Sequence, residues 1–168
     1  MSEITITAEK TDFDGNESKL VVGWREWISL PELQINRIKA KFDTGARTSV
    51  LHTFFIEPLM SGDRPQVRFG VHPLQRNVKK EVICTADIID RRRIVDSGGH
   101  PELRYIIRTS VLIGKRNWPV DLSLTNREQM RFRLLIGRTA ISGSLIVDPE
   151  LSFILGRPFK VKKKLPRN

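Results

Sequence analysis

Short runs of alternating polar and apolar residues recur along the chain and are separated by turn-forming residues. Such alternation, rich in β-branched and aromatic side chains, is typical of half-buried β-strands. Helical periodicity is supported only at 126–130 and 139–142. The pattern therefore predicts an all-β domain, a barrel or a sandwich, with one or two short helices. The predicted strands are 20–28, 35–42, 50–56, 66–72, 81–89, 103–113, 118–124, 133–138, 145–148 and 151–155.

The two ends of the chain fall outside this pattern. Residues 1–19 are mostly polar, and residues 158–168 are mostly basic. We therefore predict a flexible N-terminal arm over 1–19, one folded domain over 20–157 and a basic C-terminal tail over 158–168. A chain of 168 residues is long enough for one hydrophobic core.

Composition limits the expected location and partners. No apolar run is long enough to span a bilayer, and the N-terminus lacks the pattern of a secretory signal. Cys84 is the only cysteine, which excludes an intrachain disulfide, and we predict that it lies in the core. We expect a cytoplasmic protein without membrane association. The formal net charge of +10 suits an acidic peptide or a nucleic acid, but recognised nucleic-acid motifs are missing, so nucleic acid is not the favoured partner.

An Asp-Thr-Gly-Ala turn stands between the predicted strands 35–42 and 50–56. Its first residue, Asp43, would lie at the end of a strand with its carboxylate held by nearby N–H and hydroxyl donors. Gly45 permits the sharp reversal or a close backbone approach. The same tripeptide is also typical of an ordinary hairpin turn whose aspartate caps its own loop. From the turn alone, both interpretations stay open.

A second motif, the Leu-Leu-Ile-Gly-Arg run at 134–138, ends an apolar strand far along the chain. The two motifs together resemble the retropepsin fold, in which an apolar strand ending in glycine packs against the acidic turn. Residues 38–52, 124–138 and 147–149 are further similar to a retropepsin-like bacterial family often labelled ATP-dependent zinc proteases. Some members of that family accompany an ATP-grasp glutamate ligase that modifies a ribosomal protein. The resemblance covers about residues 20–157 and implies a closed, retropepsin-like barrel.

The resemblance implies an aspartic peptidase that acts on a peptide or protein substrate. Such enzymes need two adjacent carboxyl groups that share one proton. The chain has one Asp-Thr-Gly turn, so the resemblance implies a homodimer in which Asp43 of each subunit meets at a two-fold axis. A flap over the substrate is expected between residues 58 and 89. The residues expected to support the catalytic turn are Thr44, Gly45, Ala46, Gly137 and Arg138.

Several alternatives remain. Asp121 or Asp148 would be an internal second carboxylate, although neither lies in a second Asp-Thr-Gly turn. The zinc label is poorly supported, because His52, His72 and His100 are scattered and no His-Glu-x-x-His helix is present. No phosphate-binding Gly-x-x-x-x-Gly-Lys loop supports ATP dependence either. We expect no metal and no cofactor, and a zinc-dependent hydrolase assembled from distant strands stays the alternative.

The basic residues at 91–93 have two interpretations. They are typical of a solvated strand edge that discourages aggregation. Alternatively, they line a groove for an acidic, glutamate-rich peptide, which would suit the net charge and the ligase association of the family. A further alternative keeps the fold but makes the protein a non-catalytic peptide- or RNA-binding module that uses its basic surface.

Overall fold

The computed structural model describes residues 18–127 and 130–157. Within them the chain forms strands, one 3₁₀ turn at Pro31–Leu33 and one short helix, α1 (Arg138–Ile141). The strands are β1 (Leu20–Gly23), β2 (Arg25–Leu30), β3 (Ile35–Asp43), β4 (Ser49–His52), β5 (Phe55–Ser61), β6 (Arg64–Val71), β7 (Val82–Asp87), β8 (Asp90–Val95), β9 (Pro101–Ile113), β10 (Arg116–Thr125), β11 (Leu134–Gly137) and β12 (Leu145–Asp148).

Six strands close into a barrel in the order β10-β4-β11-β3-β2-β9, because β9 also pairs with β10. Their inward side chains are fully buried apolar residues, among them Ile28, Ile38, Leu51 and Leu134. Alternation along each strand supplies this inner face, since successive side chains point to opposite sides. The prediction of an all-β, retropepsin-like closed barrel is confirmed.

Two smaller sheets complete the fold. Strands β5, β6 and β7 form an antiparallel sheet, and β1 pairs in parallel with β12. β8 extends the barrel sheet as an outer strand on β9. The arginines at 91–93 therefore do lie on an edge strand. No helix within the described part of the chain is long and apolar enough to cross a membrane.

The predicted strand at 20–28 divides at Trp24. An added Cβ on Gly23 would lie 2.4 Å from the Leu151 carbonyl oxygen, so the chain packs tightly against residue 151 there. The Trp24 N–H also donates to that oxygen, at 2.9 Å, which takes it out of the sheet. The predicted strand at 50–56 likewise divides, because the backbone N–H and hydroxyl of Thr53 both donate to the Thr125 carbonyl.

Two local predictions are wrong. Residues 58–65, which the predicted strands 50–56 and 66–72 leave between them as a loop marked by Pro58 and Pro65, form the β5–β6 hairpin, whose two-residue turn places Gly62 at φ 61°. Residues 151–155, expected as a strand, form turns around the fully buried Glu26. The Glu26 carboxylate accepts the N–H groups of Ile154 and Leu155, so these donors need no neighbouring strand.

Other predictions fall where the structure gives no description. The helical turn at 126–130 includes residues 128 and 129, which lie outside the described ranges. The same holds for residues 1–17 and 158–168, so the predicted arm and tail stay predictions. The predicted helix at 139–142 corresponds to α1, one residue earlier at each end.

Candidate active site

Asp43 is the last residue of β3 and opens the turn that leads into β4. Its Oδ1 atom accepts the N–H of Gly45 at 3.0 Å and that of Ala46 at 3.2 Å. The residue is half-buried. Within the described ranges, Oδ2 has no hydrogen-bond partner. The turn thus fixes the carboxylate through one oxygen and leaves the other free for chemistry.

The end of β11 and the start of α1 hold this turn from beneath. The parallel register of β3 and β11 places Gly137 beside Asp43. The Arg138 N–H donates to the Ala46 carbonyl at 2.6 Å, and its guanidinium donates to the Thr44 carbonyl at 3.2 Å. These bonds satisfy backbone carbonyls that a sharp turn would otherwise leave unpaired.

Gly137 lies so close to the turn that only a hydrogen atom fits in place of a side chain. An added Cβ would be 2.7 Å from the Thr48 carbonyl carbon and 2.9 Å from the Ala46 oxygen. The Gly137 N–H donates to the buried Ser49 hydroxyl at 2.9 Å. All the residues expected around the turn are therefore together, and Thr44 takes part through its backbone carbonyl. Ser49 was missed, because a buried serine inside a strand carries no motif.

A groove of about 780 Å³ opens in front of Asp43. Val50 on β4 and Leu135 on β11 form one wall. Residues 92–97, from β8 and the turn after it, also line the groove. Residues 58–89, the segment expected to hold the flap, are not among the described residues that line the groove, and the flap stays a prediction. The hairpin that contributes to the lining is β8–β9, through residues 92–97 and Arg104.

The family assignment follows from the match of nearly the whole folded region. The family model RimB-like, described as "Retropepsin-like aspartic endopeptidase RimB", matches residues 21–158. The chain belongs to the RimB-like family. This confirms the resemblance drawn from the Asp43 turn and the strand that ends at Gly137.

The curated relatives that match this chain are longer proteins, and the match covers only part of each. A "Probable alpha-L-glutamate ligase" from Shewanella pealeana is 41% identical over 141 residues, which are 84% of this chain and 31% of that relative. A protein of the same description from Parasynechococcus marenigrum is 41% identical over 138 residues, 82% of this chain and 30% of that relative. The chain therefore spans less than a third of the length of these relatives.

A solved structure shares the fold. The crystal structure of Lpg0085, a protein of unknown function from Legionella pneumophila, superposes with a TM-score of 0.69 at 25% sequence identity. The match covers 82% of this RimB-like chain and 99% of that one.

Arginines dominate the charge of the groove. The lining includes the carboxylates of Asp43 and Asp96, and five arginines: Arg47, Arg92, Arg93, Arg104 and Arg127. Arg104 is buried and donates to Glu102 at 2.8 Å. The basic run at 91–93 thus contributes to the groove as well as to an edge. Arg104 and Arg127 carried no signal in the sequence, because their position depends on how β9 and β10 pair.

Asp96, the second carboxylate in the groove, is already engaged at the tip of the β8–β9 hairpin. Its oxygens accept the His100 N–H at 2.8 Å and the Arg127 guanidinium at 2.5 Å. The His100 hydrogen bond and then the Arg127 hydrogen bond hold the pKa of Asp96 well below its usual range. Asp96 therefore stays ionised and fixes the hairpin rather than exchanging protons.

The alternative carboxylates lie elsewhere. Asp121 pairs with Arg108 at 2.7 Å, and Asp148 accepts the Glu150 N–H at 2.9 Å. Neither is among the described residues that line the groove. Neither is therefore placed to act with Asp43 in the same subunit.

The histidines do not fit a zinc site. His52 is buried in the groove, and desolvation, reinforced by Arg104 and other arginines, lowers its pKa to about 4. His72 stacks on Phe54 with ring centroids 4.2 Å apart, while His100 is exposed on the hairpin turn. Across the described ranges, no three His, Cys, Asp or Glu side chains are grouped to hold a metal ion.

Proposed function

We propose that this RimB-like chain is an aspartic endopeptidase that acts as a homodimer, with Asp43 of each subunit forming the catalytic pair. The observation that carries the proposal is the Asp43 turn itself. It holds one carboxylate oxygen with two backbone N–H groups and leaves the other free beside a groove. A volume of about 780 Å³ is within the range of ligand sites in proteins.

Peptide hydrolysis needs a general base that takes a proton from the attacking water and a general acid that protonates the carbonyl oxygen. One Asp43 carboxylate takes a proton from water, which attacks the carbonyl carbon. The partner carboxyl group donates its proton to the carbonyl oxygen. The tetrahedral intermediate then breaks its C–N bond, the nitrogen takes a proton from the first aspartate, and the second regains one from the hydroxyl. Gly45, Ala46, Gly137 and Arg138 position the reacting carboxylate.

A second subunit is the simplest source of the second carboxyl group. Asp96 is tied to Arg127, and Asp121 and Asp148 lie away from the groove. Thr44 and Gly45 are exposed beside Asp43, so the turn is accessible to a copy of itself. A two-fold axis through this turn would bring identical carboxylates together, as an isologous interface does.

The substrate we propose is an acidic peptide, including one extended with glutamates. Arg47, Arg92 and Arg93 are exposed along the groove and would attract carboxylates of the substrate. The relatives are named as glutamate ligases, and a peptide that such a ligase has extended with glutamate would be a substrate of this kind. We further propose that the β8–β9 hairpin is the flap, since its residues 92–97 line the same groove as Asp43. We also propose that the enzyme works in the cytoplasm.

A cleavage assay tests the proposal. Wild type, Asp43→Asn and Asp121→Asn are incubated with a peptide mixture that includes glutamate-extended peptides, and products are read by mass spectrometry. We expect cleavage by the wild-type dimer and by Asp121→Asn, with or without chelator, and none by Asp43→Asn. Asp121→Asn is the matched control, because it also removes one carboxylate, but one that is ion-paired outside the groove.

Other results would contradict the proposal. Cleavage that survives in Asp43→Asn would exclude the aspartate pair. Activity abolished by chelator and restored by zinc would establish the zinc-dependent alternative. Tight binding of acidic peptides without cleavage, equal in wild type and Asp43→Asn, would establish the non-catalytic module.

A further inference from the structure

The outer face of the β2–β3 hairpin is unusually rich in positive charge. The buried residues of β3 alternate with Arg37, Lys39 and Lys41, which therefore point away from the core. On β2, Arg25 and Trp27 are the half-buried residues that flank buried Glu26. We call this surface the basic–aromatic face, and define it as Arg25, Trp27, Arg37, Lys39, Lys41 and Arg157.

The cations of this face surround an aromatic centre. The Lys39 ammonium lies 5.0 Å from the Trp27 ring centroid, and the guanidinium groups of Arg37 and Arg157 lie 5.7 Å from it. Phe153 lies 6.2 Å from Trp27 and has Arg25 at 4.9 Å. Each contact is within the distance at which a cation is attracted to an aromatic ring.

The positive charge is not balanced locally. Arg25 and Lys41 lie directly opposite each other in the antiparallel register, an arrangement that costs stability. Within the described part of the chain, no cation of this face forms an ion pair with a carboxylate. The Arg25 Nε atom donates to the Ser152 hydroxyl instead, at 3.2 Å. By contrast, the exposed Arg68 on β6 pairs with Glu57 at 3.3 Å.

We propose that the basic–aromatic face binds single-stranded nucleic acid. Arg37, Lys39 and Lys41 repeat every second residue, about 7 Å apart along β3, and form a row that can follow a phosphate backbone. Trp27 offers a ring on which a base stacks once a long cationic side chain moves from the ring to a phosphate. An acidic peptide would use the same cations but would leave the ring without a stacking partner. This binding is independent of the proposed peptidase activity.

The test is fluorescence anisotropy with labelled oligouridylate and oligothymidylate over a series of salt concentrations. The variants are Lys39→Gln/Lys41→Gln and Trp27→Leu. The control is Arg64→Gln/Arg68→Gln, which removes the same net charge from arginines that are ion-paired on β6. The two oligonucleotides distinguish RNA from DNA as the source of the strand, and binding of either one supports the proposal.

We expect the lysine variant to lower the slope of log affinity against log salt by about 1.4, since each phosphate contact of a single strand contributes about 0.7. Trp27→Leu should weaken binding at least about fivefold, by loss of one stacked base. The arginine control should keep the wild-type slope. Equal effects of the lysine and arginine variants, no binding of either oligonucleotide, or stronger binding of polyglutamate to this face would overturn the proposal.

A second measurement needs no substitution, in case a variant fails to fold. The wild-type chain is cross-linked to an oligonucleotide that carries a photoreactive uridine, and the attached residues are mapped by mass spectrometry. Cross-links on β2 and β3, at Trp27 or Lys39, support the proposal. Cross-links confined to residues 158–168 or to β8 overturn it.

Discussion

Ser49 supports the candidate active site through one buried hydrogen bond, and its removal can be predicted in detail. The residue is fully buried, and its hydroxyl accepts the Gly137 N–H at 2.9 Å. Gly137 is buried beside Asp43, so no water can replace the lost acceptor. In Ser49→Ala this backbone N–H is left unpaired.

The expected cost follows from that unpaired donor. A buried donor without a partner costs about 1–3 kcal/mol, and Ser→Ala removes only one oxygen, so the loss of packing is small. We expect the free energy of unfolding to fall by about 2 kcal/mol, which for a chain of this size is a melting temperature lower by about 4–8 °C. Ser123→Ala is the matched control. Ser123 is equally buried but donates to the Ser49 carbonyl, and its loss should cost about 1 kcal/mol.

Urea unfolding and hydrogen exchange together provide the assay. Both variants should keep the wild-type dependence of stability on urea, with Ser49→Ala the less stable. The Gly137 amide should exchange faster in Ser49→Ala and at the wild-type rate in Ser123→Ala. Equal stability of the two variants, with unchanged protection of the Gly137 amide, would refute the reasoning.

Three further predictions concern other buried groups. Gly137→Ala should destabilise the protein by about 1–3 kcal/mol, because its Cβ would meet the Thr48 carbonyl carbon at 2.7 Å. It should also reduce peptidase activity, measured by product formation. In Gly143→Ala the added Cβ meets no atom but the φ of 82° strains an alanine, so that control should lose stability without losing the activity of the folded protein. The pKa of His52 is lowered from 6.5 to about 4, so the unfolded chain takes up a proton first as the pH falls. Between pH 7 and pH 4 the wild type should therefore lose about 3 kcal/mol more stability than His52→Gln, measured by urea unfolding. Burial raises the pKa of Cys84 to about 12, so iodoacetamide at pH 8 should label it only after unfolding, as read by mass spectrometry.

Each of these predictions has a contrary result. Full activity and stability of Gly137→Ala would mean that the turn tolerates a side chain beneath it. Parallel pH profiles for wild type and His52→Gln would mean that the buried imidazole titrates normally. Equal labelling of Cys84 in the folded and unfolded chain would mean that the thiol is accessible.

The barrel and the Asp43 turn were predictable because local sequence patterns indicate both of them. Alternation marks most of the strands, and the turn residues and the glycine at 137 mark the two motifs that β3 and β11 bring together. The limits of the strands were less predictable where a distant residue decides them. Gly23 ends β1 because the backbone of Leu151 packs on it, and Thr53 ends β4 because it binds Thr125.

The groove was less predictable than the turn. The prolines at 58 and 65 indicated a loop, yet the β5–β6 hairpin contains both. Part of the groove lining comes from β8, whose place depends on its pairing with β9. His52 and Arg127 come together in the groove only after the barrel closes, so no local sequence pattern predicts that they line it.

Mixing wild type with Asp43→Asn tests the central claim, that two copies of Asp43 form one active site. The two proteins are refolded together in equal amounts at constant total concentration, and cleavage of a glutamate-extended peptide is measured. If each site needs both aspartates, only wild-type homodimers are active, and the rate should fall to about one quarter of that of pure wild type. A rate of about one half would mean that each subunit acts alone, and would contradict the account.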